Sequence, residues 1–342
     1  MNDAVKNGDP SRDILSQPAG ERAILDLHAA RLLSAEARDA ALTALRPEQH
    51  WWRWANRSLL FVGAALFLAG VIFFFAYNWA RMHAVSKFCV VETGLWICAV
   101  GAMRSGLEKI TGKVLLLSAS MLVGVLLAVY GQVYQTGADA YENYVFWALL
   151  IVPWVIVGRF GALWVLWLVV SNVAMILFWI QVDIADDFEF VFGIFLLLAA
   201  WNGTALAGRE LGASRGLSWL SGRWIRHLIW LSILVYLTIP AFVFVVEPDF
   251  DNGSLAGAIG LAVVLVAGHA YFRHIQPDLL SFAFNVLAFC FMLLTVIGKV
   301  LFEVSDGAFA FLAFGVIVLG ISSAAAFYLR LVARSIADDA TN

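Results

Sequence analysis

Ten long apolar stretches, separated by short polar loops, dominate this sequence from Ser58 onward. A helix needs about 20 apolar residues to cross a bilayer core that is about 30 Å thick. Hydrophobic residues make up 62% of the chain and charged residues only 14%, whereas a soluble domain is about 25% charged. A soluble protein of this length could not bury so much apolar surface. The sequence therefore predicts an all-α, polytopic transmembrane helical bundle of about ten spans.

The boundaries of the predicted spans follow the apolar runs. The fourth span is the shortest, carries Pro153, and is separated from the fifth only by residues 158–161. Pro240 is expected to kink the seventh span, because proline removes a backbone donor and crowds the preceding turn. The predicted spans are 58–78, 85–103, 113–131, 144–157, 160–180, 188–208, 224–246, 254–272, 279–298 and 308–329.

The loops between these spans alternate between basic and acidic. Thirteen Lys and Arg residues fall on one side and three on the other, and such an excess marks the cytoplasmic side of a membrane protein. Merging the fourth and fifth spans would put Arg209 and Arg226 on the wrong side. We therefore expect a multi-pass protein of the inner (plasma) membrane with both termini cytoplasmic. The basic side holds Arg53, Arg57, Arg104, Lys109, Lys113, Arg159, Arg209, Arg215, Arg223, Arg226, Arg273, Arg330 and Arg334, and the acidic side holds Arg81, Lys87 and Lys299.

The polar N-terminal segment is predicted to form a short cytoplasmic helical hairpin. Apolar residues recur at helical spacing in Glu21–Leu33, and Ser34 is a suitable N-cap for a second helix, Ala35–Leu45, which Pro47 ends. Eight basic and eight acidic residues cancel up to Arg57, so nucleic acid is not a predicted partner. The predicted organisation is a hairpin in 1–50, a four-span bundle in 51–160, a six-span bundle in 161–334 and a polar tail in 335–342.

Glycines at a spacing of seven residues predict close helix packing in the first three spans. The pairs are Gly63 and Gly70, Gly94 and Gly101, and Gly124 and Gly131. Two helical turns bring both members of a pair to nearly the same face, where the absence of a side chain lets backbones approach. We expect these three helices to form one tight bundle.

Polar side chains gather at the predicted outer ends of the first three spans. Among them, Glu92 lies about seven residues inside the second span, roughly 10 Å deep at 1.5 Å per residue. Ionisable groups at such a depth are expensive and often functional. Burial would favour the protonated form of Glu92 and make it a candidate proton carrier. Alternatively, Glu92 is a hydrogen-bonded or lysine-paired carboxyl that holds helices together, and the remaining polar groups meet headgroups and water. The candidate cluster is Asn78, Trp79, Arg81, Lys87, Glu92, Gln132 and Tyr134.

The remaining chemistry-bearing residues predict no reaction. The sequence contains no nucleophile elbow, phosphate-binding loop, dinucleotide signature or metal-ligand motif, so no catalytic residue, metal or cofactor is predicted and an enzyme is not favoured. The cysteines fall inside apolar stretches and are expected to be buried structural thiols. The later polar residues are expected to form interhelical hydrogen bonds, except for two histidines at the inner interface that meet headgroups. The cysteines are Cys89, Cys98 and Cys290, the later polar residues are Asn172, Asn202, His269 and Asn285, and the interface histidines are His227 and His274.

Two short motifs carry a family resemblance. The first is Phe-Phe-Ala-Tyr-Asn-Trp at 74–79, followed by Lys87, and the second is Gly-Gln-Val-Tyr-Gln at 131–135. Over about residues 14–160 the chain resembles a bacterial membrane-protein family known as domain of unknown function 2157. That family has an aromatic-rich first span ending in Asn-Trp and a Gly-Gln-aliphatic-Tyr motif after the third. The resemblance implies weight on Asn78, Trp79, Gln132 and Tyr134, without supplying a role.

Two classes of function therefore stay open. In the first, the protein is transporter- or channel-like and the polar cluster lines an outward-facing cavity. In the second, it is a non-catalytic membrane scaffold or envelope-associated subunit that acts through a partner. The predicted partners are the lipid bilayer and either another membrane protein or a second copy of the chain. An intramembrane enzyme would need a nucleophile or metal set that the sequence does not show.

Overall fold

The structure is a computed structural model. It describes residues 21–45, part of 51–76, and 77–134, 137, 139–182, 192–247, 252–305 and 307–341. Across these residues the regular structure is helical and no β-strand forms, which confirms the predicted all-α class. The chain divides into two compact units, Met1–Met82 and His83–Asn342.

The first unit contains the predicted helical hairpin. Its helices are α1 (Glu21–Ala29) and α2 (Ala35–Leu45), and the Ser34 hydroxyl accepts a hydrogen bond from the Ala37 N–H at 3.1 Å, as expected of an N-cap. The first helix ends four residues earlier than predicted, because Arg31 adopts a left-handed conformation with φ of 59°. The described residues between 51 and 79 are helical, but most of the predicted span 58–78 lies outside the residues that the structure describes.

The second unit is a succession of long helices. Eight of the helical segments described are long and apolar enough to cross a membrane, which confirms a polytopic helical protein. The helices are α3 (Ala84–Ser105), α4 (Ile110–Tyr134), α5 (Ala140–Gly158), α6 (Gly161–Gln181), α7 (Gly193–Ser214), α8 (Arg223–Val246), α9 (Asn252–Ala270, continued by a π-helical turn, Tyr271–Ile275), α10 (Leu279–Val304) and α11 (Ala308–Thr341).

Helix α7 occupies the position of the predicted sixth span and differs from it in two ways. It starts at Gly193 rather than at residue 188 and ends at Ser214 rather than at 208. Its 22 residues would extend about 33 Å, which is long enough to cross a bilayer. However, it is not among the eight segments that are apolar enough, because it contains Asn202, Arg209 and Glu210.

The fourth predicted span, which is the shortest, forms a helix. Helix α5 runs for 19 residues and continues through Pro153. Arg159 ends it in a left-handed conformation with φ of 42°, and α6 starts two residues later and packs against α5. The prediction of a tight turn at Arg159 is thereby confirmed.

Two apolar cores hold the second unit together. Ala102, Leu116, Ile151 and Leu163 form the first, which joins α3 to α6. The second joins α6 to α11 around α8. Buried residues on α8 recur every three or four positions, which places them on one face of the helix; they include Ile225, Arg226, Ile229, Trp230, Ile233, Leu234, Leu237, Pro240 and Ala241.

Three of the six glycines in the predicted pairs lie at close helix contacts. A Cβ atom added to Gly94 or Gly101 would lie 3.4 Å from Leu122 or 3.1 Å from Leu115, so this pair faces α4 as predicted. Gly124 instead faces the Trp147 ring of α5, at 2.5 Å from an added Cβ. Among the described residues outside their own helix backbone, no atom lies within 4 Å of a Cβ added to Gly63, Gly70 or Gly131.

Candidate functional site

The structure brings Tyr134, one of the two α4 candidates of the predicted polar cluster, to the start of α3. Tyr134 packs its ring against Phe88 of α3 at 6.0 Å and against Tyr130 at 4.9 Å, measured between ring centroids. Phe88 is the neighbour of Lys87, which is half-buried. The start of α3 and the end of α4 therefore lie side by side, as expected of two antiparallel helices.

Gln132 lines a polar cavity that includes α5 residues. The cavity has a volume of about 360 Å³ and is also lined by Asp139, Glu142 and Asn143. The start of α5 is fixed next to the end of α6, since the Tyr141 N–H donates to the Gln181 side chain at 2.9 Å. Neither Lys87 nor Glu92 is among the described residues that line this cavity.

The other three candidates, Asn78, Trp79 and Arg81, belong to the first unit. Asn78 and Trp79 are half-buried, and the Asn78 carbonyl accepts hydrogen bonds from the Arg81 and Met82 N–H groups. The Arg81 guanidinium lies over the Tyr77 ring, 5.7 Å from its centroid, which is a cation–π distance. These contacts form a turn at the end of the first unit.

Glu92 lies on an exposed face of α3 and not in a buried pocket. Val85, Cys89, Trp96 and Met103 are exposed on the same helix, and their spacing from Glu92 places them on its face. The prediction that all three cysteines are buried is wrong for Cys89, because its side chain is on this outer face. Burial, the premise of the proton-carrier hypothesis, is likewise missing at Glu92.

The most polar part of the second unit is a network of charges that the sequence did not predict. It joins the end of α7 to the start of α8. Arg226 binds the Glu210 carboxylate through two nitrogens, with Nε 2.7 Å from Oε1 and Nη2 3.0 Å from Oε2. Arg209 also pairs with Glu210 and donates to the Gly222 carbonyl at 3.2 Å. Arg209 is 1% exposed and Arg226 is 7% exposed, so both cations lie inside the protein.

The network continues to α10 through Asp278. Its Oδ2 lies 3.3 Å from Arg226 Nη1 and 3.0 Å from His227 Nε2. Its Oδ1 also accepts from the Leu280 and Ser281 N–H groups and caps α10. Gln276 accepts a further hydrogen bond from Arg226 Nη2 at 2.6 Å. His227, which the sequence assigned to headgroup contact, is therefore paired inside the protein.

Both acids of the network stay ionised more readily than free carboxyls. Burial raises the pKa of Glu210, but the hydrogen bond and charge of Arg226, together with Arg209, outweigh burial and hold the pKa below its ordinary value. Burial likewise raises the pKa of Asp278, and the hydrogen bond and charge of His227, the Ser281 N–H and Arg226 lower it further than burial raises it. The network is therefore charged and internally compensated.

We expect these pKa shifts to make stability fall with acidification. Because both carboxyls have lowered pKa values when folded, their contribution is complete above the unfolded values of about 3.9 for Asp and 4.3 for Glu. It is lost as the pH falls through the folded values. The thermal midpoint of the detergent-solubilised protein should therefore be lower at about pH 3.5, below both unfolded pKa values, than at about pH 7. This difference should be smaller for Asp278→Asn. The exposed Glu303→Gln control should keep the wild-type pH dependence. Equal pH dependence in all three proteins would contradict this role of Asp278.

The amides of the later helices form interhelical contacts, as predicted. Asn202 of α7 donates to Asn172 of α6 at 2.7 Å, and Trp201 donates to Ser171 at 2.9 Å. Asn285 of α10 donates to the Leu265 carbonyl of α9 at 2.8 Å. Tyr328 of α11 lies 3.5 Å from His269 of α9.

A larger cavity lies between α9, α10 and α11. Its volume is about 500 Å³ and most of its lining is apolar. His269, Asn285 and Tyr328 supply its polar groups, and Cys290 also lines it. Among the described residues, no group of three or more His, Cys, Asp or Glu side chains could hold a metal ion.

Comparison with known families covers only the N-terminal part of this arrangement. Residues 25–164 match the family model described as Predicted membrane protein (DUF2157). This match confirms the resemblance that the two sequence motifs carry. Neither a search of curated proteins nor a search of solved structures gives a match.

The extent of the match separates two groups of residues. All seven candidates of the predicted polar cluster lie inside 25–164, as do the second half of α1, all of α2 to α5 and the first residues of α6. The charge network and the larger cavity lie beyond residue 164. The family match therefore covers the Glu92 face and the Gln132 cavity. The charge network and the cavity between α9, α10 and α11 lie in the part of the chain that follows.

Proposed function

We propose that the protein is a non-catalytic membrane subunit, and that the α3 face carrying Glu92 binds a membrane-spanning helix of a partner. The observation that carries this proposal is the exposure of Glu92 in the middle of an apolar helix. Glu92 is eight residues from the start of α3, about 12 Å along the helix axis. None of the described residues of the second unit covers this carboxylate, so it faces hydrocarbon unless a further membrane helix covers it.

The energetic argument favours a covered carboxylate. A charged side chain at the centre of a membrane helix costs about 2.5–3.5 kcal/mol on insertion scales, and such residues normally face a protein interior. Within the residues that the structure describes, Glu92 has no hydrogen bond or ion pair. The partner helix should therefore present a hydrogen-bond donor or a basic side chain to Glu92. Val85, Trp96 and Met103 of the same face would supply the apolar contact around it.

The transport or channel hypothesis has less support from the arrangement of these residues. Its central premise was a cavity that Glu92 shares with the polar groups at the outer helix ends. The described lining of the Gln132 cavity does not include Glu92, and the buried charges near α8 are all engaged with one another. A helix-binding face uses the exposed position of Glu92, whereas a transport path requires a buried one.

We also propose that the protein sits in the inner membrane with both ends cytoplasmic. The support is the charge bias of the loops, which the positive-inside rule relates to orientation. In this orientation the Glu210–Arg226–Asp278 network lies near the cytoplasmic ends of the helices. The Gln132 cavity lies near the opposite side.

The proposal predicts an ordered effect of Glu92 substitutions on assembly. Glu92→Leu removes both charge and hydrogen bonding, so we expect it to reduce the assembled fraction at least fivefold, which corresponds to about 1 kcal/mol. Glu92→Gln keeps hydrogen bonding and should have a smaller effect. The measurement is size-exclusion chromatography with light scattering in mild detergent, using two differently tagged copies to separate self-association from binding to another protein.

The matched control is Glu108→Gln, which changes an exposed carboxylate in the turn between α3 and α4. It should assemble like the wild type. If Glu92→Leu assembles like the wild type as well, the proposed helix-binding face is wrong.

A further inference from the structure

We propose that the cavity between α9, α10 and α11 binds an uncharged lipid that carries a hydroxyl group. The cavity has a volume of about 500 Å³, within the range of about 300–1,000 Å³ that is usual for small-molecule sites. It lies between three of the helices that are apolar enough to span a membrane. A ligand in it would therefore come from the membrane.

One polar atom in the lining needs a hydrogen-bond donor. Asn285 is 4% exposed, and its Oδ1 oxygen has no hydrogen-bond partner among the described residues. The orientation of the amide is fixed, because Nδ2 donates to the Leu265 carbonyl and the opposite orientation would set two oxygens against each other. A buried acceptor without a donor is unfavourable by about 1–3 kcal/mol in general, so a ligand that supplies an O–H group would be stabilised here.

The polar groups lie at one end of the cavity. His269 is near the end of α9, Asn285 is near the start of α10, and Tyr328 is in the second half of α11. Because adjacent helices run in opposite directions, these three positions fall at the same level. Leu293 and Ile321 line the other end. This distribution matches an amphiphile with one polar end and an apolar chain.

The unpartnered oxygen at the polar end favours a ligand with a hydroxyl group over an anionic one. Arg273 already donates to the Tyr328 hydroxyl at 2.8 Å and is not among the described lining residues. The unpartnered atom is a carbonyl oxygen, which attracts a hydroxyl hydrogen and repels a phosphate oxygen. A lipid alcohol therefore fits the cavity better than a phospholipid headgroup.

Cys290 provides a direct reporter of occupancy, because it lines the cavity. With Cys89 and Cys98 replaced by alanine, the rate of Cys290 alkylation by a maleimide can be followed in the full-length, detergent-solubilised protein. The probes are dodecan-1-ol and its methyl ether, which differ in the hydroxyl hydrogen. We expect the alcohol to protect Cys290 at about threefold to tenfold lower concentration than the ether, the range that one hydrogen bond supports.

Two variants test the site independently. Asn285→Leu should remove the difference between the alcohol and the ether. Ala325→Phe fills the cavity without changing Asn285 and should reduce protection by both probes. Leu319→Phe lies on the exposed surface of the same helix and should behave as the wild type.

Three results would overturn the proposal. The first is equal protection by the alcohol and the ether. The second is a preference for the alcohol that persists in Asn285→Leu. The third is stronger protection by dioleoyl phosphatidylglycerol than by dodecan-1-ol, which would indicate a phospholipid site.

Discussion

Replacing Arg226 with alanine is expected to lower the free energy of unfolding by about 3–5 kcal/mol, because each acid of the network loses one of its cationic partners. Among the described residues, Glu210 is left with Arg209 alone and Asp278 with His227 alone to balance its charge. Arg226 makes hydrogen bonds to Glu210, Asp278 and Gln276, so its loss affects α7, α8 and α10 together. The two carboxylates would remain close to each other without the cation between them. The measurement is the thermal or denaturant midpoint of the detergent-solubilised protein.

Two controls separate the network from a general effect of removing positive charge. Arg226→Lys keeps the charge but loses the two-point geometry that a guanidinium provides, so it should fall between wild type and alanine. Arg215→Ala removes an exposed arginine at the end of α7 and should change stability by less than about 0.5 kcal/mol. If Arg226→Ala and Arg215→Ala had equal effects, the network would not stabilise the fold.

Replacing Gly112 with alanine is expected to destabilise the protein by about 1–3 kcal/mol through overpacking. A Cβ at this position would lie 2.3 Å from the Gly106 carbonyl oxygen and 3.2 Å from that of Ala102. Both atoms belong to the backbone, so no side chain can move aside. The tight turn between α3 and α4 would therefore have to shift. The readout is again the thermal midpoint.

Gly131→Ala is the matched control, since Gly131 lies on the same helix with no atom within 4 Å of an added Cβ. Alanine is favoured over glycine inside a helix by about 0.5–1 kcal/mol, so this variant should be neutral or slightly stabilising. The two substitutions are chemically identical and differ in their surroundings. A similar midpoint for both variants would show that the α3–α4 turn is not packed as described.

Helix number and boundaries could largely be predicted from the sequence, because length and apolarity determine what a membrane helix can be. The loop charges add a constraint that composition lacks. Their alternation requires α5 and α6 to be two separate helices, despite Pro153 in α5. Helix α11 ends at Thr341 rather than at residue 329, and helix α7 both starts and ends later than predicted. The apolar run of α7 ends before the helix does, because Arg209 and Glu210 extend it into the charge network.

The charge network was missed although a signal for it existed. On the predicted basic side, the acidic residues in the loops between spans are Glu108, Glu210 and Asp278. Two of these three are the partners of Arg226. The number of basic residues in the loops does not distinguish a solvated Arg226 from one that is paired inside the protein. An acidic residue on the basic side of such a protein is better interpreted as one member of an interior ion pair.

The position of Glu92 along its helix could be predicted, but the face it occupies could not. Helix α3 carries apolar residues on all sides, so hydrophobic periodicity does not distinguish a lipid-facing stripe from a packed one. Orientation is set by tertiary contacts, which turn Ala102 inward against α4 and leave Trp96 outward. Tyr134 lies beside Phe88 of α3, because the short turn between two antiparallel helices brings the start of α3 and the end of α4 together.

Crosslinking from Cys89 in native membranes tests the helix-binding face most directly. Cys89 is exposed and lies about one turn before Glu92 on the same face. With Cys98 and Cys290 replaced by alanine, a benzophenone maleimide on Cys89 should give a discrete protein adduct in the wild type. That adduct should be reduced at least fivefold, about 1 kcal/mol of binding, by Glu92→Leu and retained in Glu108→Gln. Adducts with lipid alone, or a protein adduct that Glu92→Leu leaves unchanged, would contradict the proposed partner-binding role.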